Sequence, residues 1–460
     1  MTALASYDSF LAGKEVRALM RGIDTDPDLS DHLFPHQRDV VSFLLKAGRG
    51  AAFLDTGMGK TAVELEYGRQ VVEMENRPVL LLAPLAVGKQ HEREAARFHT
   101  DAKVIRDPSE INGARIYITN YERLHLFDSG DFAGVILDES SIVKSVTGKT
   151  TRALIDFAQD MRWRLAATAT PAPNDHMELG QHSQFLSVMD SSEMLARWFI
   201  ADQTEMGRYR LKRYGIKPFW SWVASWARCV GKPSDLGYSD SGFDLPALNI
   251  HRHVVDTDLT AGADGLLFRI PDTSATSIHK EKRLTAADRA AKIAELVNAE
   301  PGEAWMVWVE TDYDADAIMA LLPEAVEVRG SMKPEVKEER LDAFTRGQIR
   351  VLVSKPSIAG FGLNWQHCAR TAFVGLSFSY EMFYQAVRRF WRFGQQRPVE
   401  CHIAMAETET SIWQTIQRKK DDHEAMKREM FEAMRREVLH KTVKQAYQPT
   451  MRARLPAWLN

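Results

Sequence analysis

Cysteine is nearly absent from this sequence. Only Cys229, Cys368 and Cys401 occur in 460 residues, and they stand far apart. They offer neither a disulfide framework nor the paired spacing of a structural zinc site, and they fit a reducing cytoplasm. No apolar run reaches the roughly 18 residues that a membrane-crossing helix needs, so no membrane partner is expected. The opening stretch MTALASYDSFLAGKEVRALMRG has no apolar core followed by a small-residue cleavage site, so no secretion signal is read and a cytoplasmic location is expected. Short-period repeats and low-complexity tracts are missing too. Strong net charge is also lacking: 59 Lys and Arg against 62 Asp and Glu leave −3. A field that small does not announce a nucleic-acid partner. If such a partner binds, positive charge has to be concentrated in a cleft. The stretch 411–460 is locally basic, with eleven Lys and Arg against six Asp and Glu, and reads as a solvated helix face.

The sequence does have the length for two cores and a regular alternation of elements. Short apolar runs at 51–55, 78–84, 115–120, 134–139 and 164–170 read as buried parallel strands, with helix-length segments between them. A second series follows, with strands at 304–310, 325–330, 350–355 and 371–376 and helices at 285–299, 312–322, 333–346 and 380–393. This pattern predicts an α/β protein whose fold unit occurs twice. Residues 1–32 read as largely helical. The segment at about 180–245, rich in Trp, Tyr and Arg, reads as a mostly helical insert whose Trp220, Trp222 and Trp226 form its core. Residues 411–438 read as a helix. The first lobe is expected over 1–257, a linker over 258–280 and the second lobe over 281–460.

Three motifs carry chemistry. Asp55-Thr56-Gly57-Met58-Gly59-Lys60-Thr61 follows a strand and opens a helix. Glycines let backbone N–H groups approach phosphate, and the helix N-terminus adds a favourable dipole. Lys60 suits the β- and γ-phosphates, and the Thr61 hydroxyl suits Mg²⁺. The general P-loop pattern asks for a glycine where Asp55 stands. The second motif is a strand ending in Asp138-Glu139, where Asp138 would hold Mg²⁺ and Glu139 would orient and deprotonate a water. The third is QAVRRFWRFGQ, 385–395. It places Arg389 and Arg392 three apart, as on one helix face, where guanidiniums can neutralise a transferring phosphate. His176 and His182 read as ordinary polar residues.

Together these motifs resemble the superfamily-two helicase-type ATPases, and within them the Swi/Snf-like DNA translocases in a compact phage or bacterial form. The resemblance spans roughly 31–420. It implies two RecA-like doubly wound parallel-sheet lobes, a mostly helical insert and a C-terminal helix, with ATP and Mg²⁺ as cofactors. LFPHQ, ending at Gln37, resembles the adenine-reading motif. DTGMGKT resembles the family's own P-loop, which also lacks the early glycine. Pro84, in LAPL, and Asn120 and Tyr121, in ITNYE, fall in motifs that contact a DNA strand. Asp138-Glu139-Ser140-Ser141 is similar to the DEAH box, and Lys144 and Lys149 match the lysines after it. ATATP, 167–171, resembles the motif that links ATP state to lobe movement. DLP, 244–246, with the strand after it resembles the turn and last strand before the second lobe. AGFGLN, with Gly360 and Gly362, looks like the second lobe's glycine motif. QAVRRFWRFGQ resembles the arginine-finger motif QAxxRxxRxGQ, whose ending points to the translocase branch.

Ser140-Ser141 stand where the family has Ala-His, which puts coupling through that position in doubt. Lys89, Lys144 and Lys149 are the cations expected in a DNA cleft. Trp365 could stack on a base, but packing inside the protein is the favoured reading. Double-stranded DNA is the expected partner, ahead of RNA. A strand-separating helicase and an ATP-gated clamp are the competing functions.

Overall fold

Strands buried on both faces of a parallel sheet need near-continuous apolar sequence, and the short runs provide it. The computed structural model describes residues 16–84, 87–144, 148–172, 175–201, 209–255, 282–359 and 364–442. In the first lobe, β1 (Arg49–Leu54), β2 (Val79–Ala83), β3 (Ala102–Val104), β4 (Ile116–Asn120), β5 (Gly134–Asp138) and β6 (Trp163–Thr168) form a sheet. The insert adds a small antiparallel pair, β7 (Phe199–Ala201) with β8 (Tyr209–Leu211), and then β9 (Ala227–Val230). The seven-stranded order is β3-β4-β2-β5-β6-β1-β9, with parallel pairing throughout. Asp138 pairs with Ala167 and Phe53 with Thr168. The ends of β1, β5 and β6 therefore meet at one carboxyl edge, where open α/β sheets place their ligands.

The second sheet comprises β10 (Leu248–Val255), β11 (Trp305–Val309), β12 (Val326–Val328), β13 (Val351–Ser354), β14 (Arg370–Val374) and β15 (Val399–Ala406). Its order is β10-β15-β14-β11-β13-β12, again all parallel. Two parallel sheets flanked by helices match the expected pair of RecA-like lobes.

Three local expectations need correction. The strand after the Leu245-Pro246 turn was expected to close the first lobe. It is β10, and it runs in register along β15, from Leu248 beside Val399 to Val255 beside Ala406. Its polar sequence LNIHRHVV suits an edge strand, and β15, an apolar run not recognised in the sequence, offers the edge. The insert is not only helical. Helices Leu179–Phe185, Ser191–Trp198 and Ile216–Trp226 are present, but β9 completes the first sheet beside β1. Trp222 and Trp226 are fully buried, and Trp220 nearly so, as insert core. Residues 16–32 hold no helix. Backbone N–H groups of Arg21, Gly22 and Ile23 instead donate to the carbonyls of Ala47, Lys46 and Leu45. They satisfy the last turn of the helix Pro35–Ala47, whose carbonyls have no partner inside the helix.

The C-terminal helix, Thr410–Thr442, corrects the reading of a solvated basic face. Ile412 and Ile416 are buried in the core of the second lobe. Met426, Met430 and Met434, four apart on one stripe, are buried in the core of the first. The Trp220 indole N–H donates to Glu429 at 2.8 Å. A single helix is thus rooted in both lobes.

Truncating a buried methionine costs about 2–5 kcal/mol, whereas an exposed helix position costs within about 0.5 kcal/mol. Met430→Ala is therefore expected to lower stability by about 2–5 kcal/mol, measured by urea denaturation. A change within about 0.5 kcal/mol would mean the stripe is not docked.

Candidate active site

The turn between β1 and the helix Lys60–Glu75 is built around two glycines with positive φ, Gly57 at 95° and Gly59 at 82°. Side chains rarely adopt these angles. A Cβ on Gly57 would also lie 2.8 Å from the backbone nitrogen of Phe393, a residue of the second lobe. The glycine is what lets the lobes close on this turn. Asp55, standing where the general P-loop pattern has glycine, is an anchor between lobes. One oxygen accepts from the Tyr384 hydroxyl at 2.5 Å and the Thr56 N–H at 2.7 Å. The other accepts from Lys427 at 3.1 Å and Arg388 at 3.3 Å. Burial alone would raise its pKa, but the charges of Arg388 and Lys427 more than offset this and hold it well below the carboxylate range.

Lys60 Nζ sits 2.8 Å from Asp138 Oδ1 and 2.7 Å from Glu139 Oε1. Burial opposes its charge, but the two carboxylates outweigh that cost and raise its pKa. Gln37 is buried against the same turn. Its amide nitrogen donates to the Met58 carbonyl at 3.2 Å, and its oxygen accepts from the Phe34 N–H at 3.0 Å. Thr56, Lys60, Thr61, Asp138 and Glu139 line a cleft of about 420 Å³, and Gln37 lies at its wall. Arg389, Arg392 and Phe393 close it from the second lobe. The Thr61 hydroxyl and the Asp138 carboxylate are hard oxygen donors of the kind Mg²⁺ takes.

The arginines are not on a helix, as the sequence pattern predicted. The helix Tyr380–Val387 ends before them. Phe390 is drawn into the core, with its ring 5.7 Å from that of Trp365 and 6.4 Å from that of Trp308. The backbone breaks into turns to allow this. Both guanidiniums nevertheless reach the cleft. Burial pushes Arg389 down to about 9, against the attraction of Glu139, and Arg392 down to about 10. A polyphosphate would offset that desolvation cost directly.

A hydrogen-bonded path joins the two lobes across this cleft. Thr168 Oγ1 donates to Glu139 Oε2 at 3.4 Å, and the Thr170 N–H donates to Thr168 Oγ1 at 3.1 Å. Gln385 Nε2 donates to Thr170 Oγ1 at 3.3 Å, and Arg389 to Gln385 Oε1 at 3.4 Å. Glu139 itself has φ of 53°, a strained angle for a non-glycine residue and one concentrated at functional sites. Ser140, in the altered box, pairs with His182 at 3.1 Å. His182, read from the sequence as an ordinary polar residue, is an interior one. It is fully buried, and burial pushes its pKa down to about 4.

Glu139 also borders a second interlobe cavity of about 520 Å³, lined by Pro84, Tyr121 and Ser141 on one side and Lys337 and Ile358 on the other. Pro84, Lys89 and Asn120 share a smaller recess beside it. Asn120 Oδ1 caps the following turn at the Arg123 N–H, and the buried Tyr121 hydroxyl donates to the Asp138 carbonyl at 2.5 Å. Lys89 is exposed but paired with Glu338 at 2.8 Å. Arg93 pairs with Asp342 at 2.6 Å, and Arg106 with Glu335 at 3.8 Å. Basic residues of the first lobe thus face one acidic helix, Pro334–Thr345, of the second. Lys149 is exposed at a helix start. Gly360, Gly362 and the side chain of Lys144 lie outside the described residues. For Trp365 the base-stacking role is corrected and the packing reading holds. It is fully buried, its indole N–H donates to Thr345 at 3.0 Å, and it offers no face to a base.

Sequence reasoning missed Asp55's partners, and it missed Glu64 and His91 beside Asp138. A charged residue inside the otherwise buried run Ala62–Leu65 was the one available signal for Glu64.

Residues 288–394 match the helicase conserved C-terminal domain. The chain is 23% identical to a protein p41 of Acyrthosiphon pisum secondary endosymbiont phage 1, over 81% of this chain and 92% of that one. It is 22% identical to YwqA of Bacillus subtilis, named as an ATP-dependent helicase/translocase, over 85% of this chain and 49% of that one. It is 26% identical to the chromatin-remodeling ATPase INO80 of Schizosaccharomyces pombe, over 36% of this chain and 12% of that one. It therefore spans most of the phage protein but half or less of the other two. The SWI2/SNF2 ATPase core of Sulfolobus solfataricus, solved with double-stranded DNA, aligns at TM-score 0.40 and 18% identity over 83% of this chain and 89% of that one. Residues 288–394 thus carry a helicase conserved C-terminal domain, and the chain, with its two parallel-sheet lobes, resembles proteins named as a helicase/translocase and a chromatin-remodeling ATPase.

Proposed function

We propose that this ATPase uses ATP and Mg²⁺ to move along double-stranded DNA without separating its strands. The observation that carries the reading is the path from Glu139 through Thr168, Thr170 and Gln385 to Arg389. It joins the proposed base in one lobe to the proposed arginine finger in the other, so a change at the nucleotide is felt as a change between lobes.

The chemistry follows from the side chains. Lys60 neutralises Asp138 and Glu139 and turns to the β- and γ-phosphates when ATP enters. Glu139 is then free to orient a water and take its proton as the water oxygen bonds to the γ-phosphorus. The bond from that phosphorus to the β–γ bridging oxygen breaks, and ADP and phosphate leave. Arg389 and Arg392 neutralise the charge that spreads over the transferring group. Thr61 and Asp138 would hold Mg²⁺, which supplies neutralisation of the polyphosphate charge. DNA phosphates would compete with Glu338, Asp342 and Glu335 for Lys89, Arg93 and Arg106, which makes binding salt-sensitive.

Relatives at 22–26% identity include proteins named as a helicase/translocase and a chromatin-remodeling ATPase. The choice of duplex over strand separation is supported by one observation. Among the described residues between 364 and 387, there is one strand, β14, and one helix, with no hairpin to act as a wedge.

Arg389→Ala and Arg392→Ala are each expected to lower kcat on the order of 10³–10⁵-fold, the range of arginine fingers, with ATP affinity little changed. Steady-state kinetics checks this, and a loss confined to KM would remove the finger role. Movement is tested with a triplex on blunt duplex beside a forked duplex. Displacement of the third strand without fork opening is the expected result. Fork opening with no activity on intact duplex would overturn the proposal in favour of a helicase.

A further inference from the structure

Directly behind the end of β5 lies a group of charges that the proposed mechanism does not use. Glu64 stands one turn after Lys60 on the helix Lys60–Glu75, and its side chain is fully buried. His91, on the helix Gly88–Arg97, is 1% exposed and forms part of the cleft floor. Its Nδ1 lies 3.2 Å from the Val87 carbonyl. Its Nε2 lies 3.2 Å from Glu64 Oε2 and 3.5 Å from Asp138 Oδ2. Both ring nitrogens therefore face acceptors, the arrangement of a ring that donates from both sides.

This divides the two oxygens of Asp138 between different tasks. Oδ2 is turned back to the imidazole, while Oδ1 faces Lys60 at 2.8 Å. Asp138 would otherwise be free to rotate about its terminal torsion, which is broad and roughly two-fold. Burying two carboxylates and an imidazole is costly unless each is paired. Groups of this kind behind a metal ligand set its orientation, and their loss typically costs about 10–100-fold in metal affinity or activity.

We propose that His91, held in place by Glu64, is a positioning residue that fixes the Asp138 carboxylate with Oδ1 toward the cleft, and so sets the affinity for the divalent cation that accompanies the nucleotide. This rests on the reading of the cleft as a nucleotide–metal site. The same three residues have ligand atoms within 4.8 Å of one another, so direct ligation of a cation by His91 is the rival arrangement.

The test uses the full chain and Mn²⁺ as probe. Free Mn²⁺ is followed by electron paramagnetic resonance, with and without a non-hydrolysable ATP analogue. Binding of a fluorescent analogue without metal is measured in parallel. His91→Leu and His91→Asn are expected to weaken Mn²⁺ binding in the ternary complex about 10–100-fold, and metal-free nucleotide binding by much less. His91→Gln, which retains a donor of similar reach, is expected to recover most of it, and this conservative rescue also guards against variants that do not fold. Wild-type Mn²⁺ affinity in both His91→Leu and His91→Asn would overturn the proposal. So would Mn²⁺ bound by the wild type without nucleotide and lost in His91→Leu, which would make His91 a ligand. Failure of the wild type to bind the nucleotide analogue would instead remove the reading of the cleft.

Discussion

Everything at the proposed catalytic centre depends on the two lobes being held against each other, and Asp55 is the point where that hold is made. Its carboxylate lies within hydrogen-bond distance of the Tyr384 hydroxyl, the Arg388 guanidinium and the Lys427 ammonium. Tyr384 and Arg388 belong to the segment that leads into Arg389 and Arg392. Lys427 belongs to a helix whose start is buried in one core and whose later methionines are buried in the other. A carboxylate this deeply placed is unfavourable unless paired, so the three donors and the acid require one another. The P-loop position that lacks its early glycine is thereby the position that registers where the second lobe stands.

From this hold the rest follows in order. Closure brings Phe393 against Gly57, where no side chain would fit. It carries Arg389 and Arg392 to the cleft wall opposite Lys60, and it lets Gln385 reach Thr170. On the far side of Glu139, the same closure sets the acidic helix Pro334–Thr345 on Lys89, Arg93 and Arg106. The proposed nucleotide cleft and the second cavity share Glu139 as a common wall. A residue strained at φ of 53° and shared by two clefts is well placed to answer to both.

Much of this was legible in the sequence, because buried parallel strands write themselves as apolar runs and glycines mark backbone that must pass close to something. The sheet strands of the first motifs, the P-loop and the acids at the end of β5 lie close to where the pattern put them. What the sequence hid is long-range. β10 belongs with β15 because a sheet edge 151 residues away accepts it, with His251 and Glu400 forming one of the contacts. The helix expected through Arg392 stops at Val387 because Phe390 is worth more in the core beside Trp308 and Trp365. Trp365 is core for the same reason. The basic tail looked solvated because charge count conceals a stripe of three methionines. His91 was invisible because nothing local distinguishes a buried histidine that holds an aspartate from one that packs.

The central claim is that hydrolysis in this cleft is coupled to duplex DNA. The most direct measurement is the steady-state rate of ATP hydrolysis by the full chain with duplex DNA, single-stranded DNA and RNA supplied separately at matched nucleotide concentration and low salt. A duplex translocase gives strong stimulation by duplex DNA and little by the other two. Equal or greater stimulation by single-stranded DNA or RNA would contradict it.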